Sequence, residues 1–125
     1  MNLLLDTNVL LWWLGGIDRL SEAAAELISD EDNDIVVSVA SIWEISIKKS
    51  LGKLTIDGDL RKHIEQQSFR ELPIAGHHAV EVEHLPMHHR DPFDRILVAQ
   101  ARCEQLTLIT GDHQLSEYDV STMLC

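Results

Sequence analysis

The sequence predicts an α/β fold, a three-layer α/β/α arrangement around a mostly parallel central sheet of four to five strands. Short apolar runs alternate with helical segments along the chain, an order that lays strands side by side in parallel with crossover helices on both faces. A length of 125 residues corresponds to one ordinary domain, residues 1–125, large enough to bury a core without disulfide or metal staples. Hydrophobic residues make up 45% and charged residues 25%, inside the globular range, so disorder and fibrous repeats are excluded. The longest uninterrupted apolar run, Val9 to Leu14, has six members where a membrane span takes about 20, so no membrane partner is expected.

Leu3 to Leu5 reads as a buried strand that hands over to a helix across Asp6-Thr7-Asn8, and that helix ends near Gly15-Gly16. Ser21 starts a second helix with Glu22 and Glu26 in its early turns, and the stretch from Asp30 to Asp34 breaks it. Ile35 to Val39 is the next strand. Ser41 then caps a helix running to Ser50 and stopped by Gly52, and Asp59 to Gln67 gives another with Leu60 and Ile64 inward. Phe69 to Ile74 carries a weak signal. A helix from His77 to His84 precedes a loop, Leu85 to Arg90, and Asp91-Pro92 opens a further helix with proline at its favoured first position. Phe93, Ile96, Leu97 and Ala101 form the apolar face of that helix. Leu106 to Thr110 reads as a strand, Gly111-Asp112 as the turn that leaves it, and Tyr118 to Met123 as a last strand.

The net charge of −11 argues against non-specific binding to polyanions, but the average hides an asymmetry. Residues 1–34 hold eight acids and one base, Arg19, whereas residues 48–70 hold six bases against three acids. That middle segment either faces a phosphate backbone or is a set of scattered, solvated helix charges. Cys103 and Cys125 are too sparse for a disulfide framework and are expected as two reduced thiols, one of them buried. With Arg19 the first basic residue, no secretory signal is read, and a cytoplasmic location is expected.

Four acids stand at element boundaries. Asp6 directly follows the first strand, at the end where open parallel sheets bind ligands, and Asp112 sits two residues beyond Thr110 at the same kind of exit. Glu44 is placed in the first turn of the helix after the second strand, and Asp94 in the first turn of the Asp91 helix. Acids at helix starts cap free amides and oppose the macrodipole, each for about 0.3–2 kcal/mol. Capping accounts for each acid singly: Ser41-Ile42-Trp43-Glu44 matches the capping box, and Asp6 and Asp91 are suitable caps. Convergence of all four is another matter, because each close pair would repel by roughly 4 kcal/mol at about 4 Å and an effective dielectric near 20, which no capping role requires. Such a cluster wants a cation. An all-oxygen set suits Mg²⁺ or Mn²⁺, ions that activate water and stabilise charge on a phosphoryl centre, and the matching reaction class is metal-assisted phosphodiester hydrolysis.

Four stretches, Leu-Leu-Leu-Asp-Thr-Asn at 3–8, Ser-Ile-Trp-Glu-Ile-Ser-Ile-Lys at 41–48, Asp-Pro-Phe-Asp-Arg-Ile-Leu-Val-Ala-Gln-Ala at 91–101 and Leu-Ile-Thr-Gly-Asp at 108–112, together resemble a PIN domain. More narrowly, the chain is similar to the VapC-type ribonuclease toxins of type II toxin–antitoxin pairs, over essentially its whole length. The resemblance implies a PIN-like fold and a Mg²⁺- or Mn²⁺-dependent endoribonuclease that cuts single-stranded or loop regions of RNA. It implies that Asp6, Glu44, Asp94 and Asp112 are the acidic metal ligands, with Thr7, Asn8 and Thr110 holding carboxylates or water and Asp91 in support. It also implies a homodimer silenced by a cognate antitoxin protein. One departure is Gly111, where many members of the family carry a large side chain.

Other features stay open at this point. His88-His89 and His77-His78 are histidine pairs, but neither has helical i, i+4 spacing or a matching cysteine, so zinc is not expected. Arg90 and Arg95 can orient a substrate phosphate, or pair with Asp91 and Asp94. Lys48 and Lys49 can meet RNA phosphates, while Glu44 and Lys48 also form a plain i, i+4 pair. Trp12 and Trp13 lie in a helix apolar on every side, which is either deeply internal or docked on a partner. Two other functions fit parts of the sequence. One is a phosphatase-like hydrolase with Asp6 as nucleophile, resembling the haloacid dehalogenase class, although position 8 is Asn where that class wants a second aspartate. The other is a non-catalytic acidic module that binds a basic partner chain.

Overall fold

The computed structural model describes residues 1–15, 19–118, 120 and 122–124. Five strands, β1 (Asn2–Leu5), β2 (Asp34–Ser38), β3 (Arg70–Leu72), β4 (Thr107–Thr110) and β5 (Thr122–Leu124), form one sheet in the order β3-β2-β1-β4-β5. Every neighbouring pair is parallel. The helices are α1 (Thr7–Gly15), α2 (Glu22–Ser29), α3 (Val39–Ser50), α4 (Leu60–Gln66), α5 (Gly76–Glu81) and α6 (Pro92–Glu104), with 3-10 turns at Val82–His84 and His113–Glu117. None of these helices is long and apolar enough to cross a membrane.

Alternation along β1 builds the two layers. Leu3 and Leu5 enter a core with Val9 and Leu10 of α1, Ala24 and Ile28 of α2, and Leu60 and Ile64 of α4. Leu4, between them, points to the opposite core, where Leu97, Val98 and Ala101 of α6 and Leu108 of β4 meet it. The strand order reverses between β1 and β4, and the carboxyl ends of those two strands are pinned together by the Asp6 amide donating to the Ile109 carbonyl at 3.0 Å. In an open parallel sheet that reversal leaves a crevice beyond the strand ends. Asp6 and Gly111-Asp112 leave the sheet there.

Several sequence expectations are corrected. Ser41 is not the cap of α3: Ser38 is, accepting the Ala40 amide at 3.0 Å, so the helix starts three residues earlier and the Ser41–Glu44 capping box does not form. Glu44 therefore lies in the second turn, free of capping duty. At the other end of α3, Gly52 adopts φ 73° and the Lys53 amide reaches back to the Lys48 carbonyl at 2.9 Å, the αL closure expected there. The weak stretch from Phe69 to Ile74 is the edge strand β3, cut short by Pro73, which has no amide to donate. His77–His84 is a short helix followed by a 3-10 turn rather than one helix. Phe93 and Ile96 are only half-buried, with the Phe93 ring edge-on to Trp43 at 5.1 Å between centroids. Cys103 is a free thiol and is half-exposed, not buried; Gly16 and Cys125 lie outside the described residues.

Candidate functional site

Asp6 caps α1 and is held on both oxygens. Its Oδ1 accepts the Val9 amide at 2.8 Å, and its Oδ2 accepts the Thr110 hydroxyl, which in turn accepts the Asp112 amide at 3.0 Å. The carboxyl group is 5% exposed, and burial, with Asp112 and Glu44 nearby, raises its pKa against the lowering effect of the two hydrogen bonds. Capping and site-building are thus not alternatives at this position: the cap bond fixes one oxygen while the β4 exit fixes the other.

Asp94 stands in the first turn of α6, whose N-cap Asp91 accepts the Phe93 and Asp94 amides and whose first residue is Pro92. Burial, then the charge of Asp91, push the Asp94 carboxyl up to about 7, with Asp6 and Glu44 adding to the effect and His89 opposing it. Asp112 caps the 3-10 turn through Oδ1, which accepts the Gln114 amide at 2.9 Å, and turns Oδ2 toward the His89 Nε2, also 2.9 Å away. Ligand atoms of His89, Asp94 and Asp112 all lie within 4.8 Å of one another. Asp6, Asp94 and Asp112 share one cleft of about 350 Å³ with Asn8, Trp12, Gly111 and His113.

Glu44 does not line that cleft but stands behind it. The Thr7 hydroxyl donates to its Oε1 at 2.8 Å and lies 3.0 Å from the Ser41 hydroxyl, and Lys48 Nζ sits 3.0 Å from Oε2. The i, i+4 pair exists, and Glu44 is nonetheless close enough to raise the pKa of both Asp6 and Asp94.

His89 is the residue that sequence reasoning failed to place here. Its Nδ1 accepts the Asp91 amide at 3.1 Å, which leaves the neutral ring's proton on Nε2, aimed at Asp112 and 3.4 Å from Asp94. In that tautomer His89 orients carboxylates and is not a ligand. Adjacency to Asp91 was the signal available, but no helical spacing could have found a loop histidine.

The basic residues divide. Arg95 is corrected: it is 8% exposed and faces no solvent phosphate, nor does it pair with Asp91 or Asp94. Its guanidinium donates to the carbonyls of Val82, Leu85, Pro86 and His89 and to the Tyr118 hydroxyl. That hydroxyl accepts the His89 amide at 2.9 Å, so Arg95 and Tyr118 together hold the loop that carries His89. Arg90 is exposed and Lys49 half-exposed. In the basic middle segment, Arg61 pairs with Glu71 and Arg70 with Asp34.

Three carboxylates meeting in one cleft form a donor set that a hard divalent cation would satisfy. The second histidine group, His77, His78 and Glu104, is different. His78 Nδ1 accepts the Ala75 amide at 2.9 Å, so Nε2 carries the proton and is unavailable to a metal.

The sequence profile described as the PIN domain matches residues 3–121. The chain belongs to the PIN domain family. The PIN fold of this chain is similar to that of several solved structures. VapBC2 from Rickettsia felis, bound to a DNA fragment from its promoter, aligns at TM-score 0.72 over 100% of this chain and 99% of that one, with 13% identity. FitAcB from Neisseria gonorrhoeae aligns at 0.67 over 97% and 96%, with 22% identity, and VapBC-1 from nontypeable Haemophilus influenzae at 0.64 over 99% and 98%, with 17% identity. No curated protein matches the PIN chain in sequence. At these identities the structural likeness bears on the PIN fold.

Proposed function

We propose that this PIN domain is a divalent-cation-dependent endoribonuclease, the toxin of a toxin–antitoxin pair, cutting phosphodiester bonds in single-stranded or loop regions of RNA. The observation that carries the proposal is the meeting of Asp6, Asp94 and Asp112 in one cleft at the β1/β4 crevice, with Glu44 close behind. Asp6, Glu44, Asp94 and Asp112 are the residues proposed to hold Mg²⁺ or Mn²⁺. Bound there, such an ion lowers the pKa of water and offsets charge on the phosphoryl oxygens.

The chain's own groups would supply position. Thr110 and the Val9 amide preset the Asp6 carboxylate, Thr7 presets Glu44, and His89 presets Asp112. In the metal-free chain the Asp94 carboxyl is pushed up to about 7 by burial and by Asp91, so it would give up its proton to a bound cation and serve as a carboxylate ligand. Asn8, exposed at the cleft, can orient substrate or water, and Lys48, Lys49 and Arg90, which do not line it, are proposed to meet phosphates farther along the RNA. The VapBC and FitAcB complexes among the structural neighbours support a cognate antitoxin as partner. A basic antitoxin segment would complement the net charge of −11. A homodimer is proposed as well.

The test uses purified protein, Mn²⁺ and a mixed single-stranded RNA. Cleavage that stops with EDTA and with Asp6→Asn is expected. Intact RNA together with turnover of a small phosphate ester would replace the nuclease by a phosphatase.

A further inference from the structure

The cleft that holds the three carboxylates is also lined by an indole. Trp12 lies one turn beyond Asn8 on α1, and both line the cleft with Asp6, Asp94, Gly111, Asp112 and His113. The Trp12 ring crosses to the β4 exit, where a Cβ placed on Gly111 would fall 3.0 Å from Cη2 and 3.3 Å from Cζ3. Gly111 is not among the glycines with positive φ, so any residue could take its backbone conformation. What glycine provides there is room for the ring. The benzo edge of the indole occupies the space where a side chain at position 111 would otherwise stand.

Trp12 is half-buried, packed against the core beneath β1 while remaining part of the cleft lining. A cation and basic side chains attract any phosphate backbone, paired or unpaired, so discrimination for single strands has to come from a contact that does not depend on charge. An aromatic ring supplies it, because every nucleobase has a π-face to stack, and a base can reach the ring only when it is unpaired. Resting on the nuclease reading above, we propose that Trp12, seated on Gly111, is the stacking platform for an unpaired base next to the scissile phosphate. The cleft thereby selects single-stranded chain.

The test binds hexauridylate, and an abasic ribose-phosphate chain of the same length, in Ca²⁺ to a protein carrying Trp13→Phe and Trp43→Phe, so that Trp12 is the only tryptophan and is excited selectively over Tyr118. Saturable quenching by hexauridylate and little by the abasic chain is expected. Trp12→Ala should raise the Kd for hexauridylate, read by anisotropy of a labelled chain, and the KM for cleavage by about ten-fold or more, with kcat changed less than about three-fold. Trp12→Phe should restore most of the loss. Gly111→Ala, which displaces the ring without removing it, should raise Kd in the same direction, and it serves as the variant of record if Trp12→Ala unfolds. Equal binding by the wild type and these variants, equal affinity for base-bearing and abasic chains, or no quenching by either chain overturns the platform. RNA cleavage that ignores Trp12 leaves the nuclease and removes the platform, whereas base-dependent quenching without any cleavage does the reverse.

Discussion

Asp94 shows how a single carboxyl reports on its surroundings. Its pKa is raised to about 7 in the folded chain by burial and by Asp91, from an ordinary value near 3.8. Between those values the native state holds a proton that the unfolded state has lost, so this group lowers stability as pH rises from about 4 to 7. In metal-free buffer, Asp94→Asn should therefore gain stability relative to the wild type across that interval, measured by urea unfolding at several pH values. A difference that stays flat with pH would show Asp94 to be solvated. Thr110 acts on its neighbour in a simpler way. Its hydroxyl is the donor to the buried Asp6 oxygen and the acceptor of the Asp112 amide. Thr110→Val, nearly isosteric, should cost about 1–3 kcal/mol in the same experiment, and a neutral result would mean that water replaces it.

Among the elements, α3 and the loop before α6 decide where functional groups stand. The start of α3 at Ser38 carries Glu44 into the second turn, where Thr7 reaches it. Its end depends on the φ of 73° at Gly52. Gly52→Ala should lower stability by about 1–2 kcal/mol, seen as a lower Tm with unaltered spectra, since a Cβ resists the left-handed region. The loop before α6 is tied by the Arg95 guanidinium to four backbone carbonyls and a hydroxyl. Arg95→Lys should fail to rescue what Arg95→Met loses, because an ammonium cannot reproduce the planar fork. Both variants should lower the Tm and, through a displaced His89, the rate of RNA cleavage. Full activity in Arg95→Met would sever that link.

For the molecule as a whole, the proposed metal site predicts that divalent cations bind the native state more tightly than the unfolded chain, because only folding gathers three carboxylates into one cleft. Mg²⁺ or Mn²⁺ should raise the Tm by mass action, about 2.7 kcal/mol at 100 times the dissociation constant, and Asp94→Asn or Asp112→Asn should shrink the shift. The same elevation from K⁺ at matched ionic strength would indicate general screening rather than a site.

The layering, the order of strands and helices and the places of Asp6, Asp94 and Asp112 at element ends were readable from the chain, because alternation with period two, helical period and caps are properties of a few consecutive residues, whereas Glu44 was expected one turn too early. The weak third strand and the true start of α3 were not, since three residues ending at a proline carry little pattern and two serines compete for one cap. Only the tertiary structure decided which side chains meet. Thr110 and Asp6 stand 104 positions apart, His89 and Asp112 23. Arg95 turns inward because the carbonyls of a distant loop need donors, and Gly111 is small because an indole from another helix occupies its place. Such choices depend on distances between remote parts of the chain, which come into being only when the sheet closes.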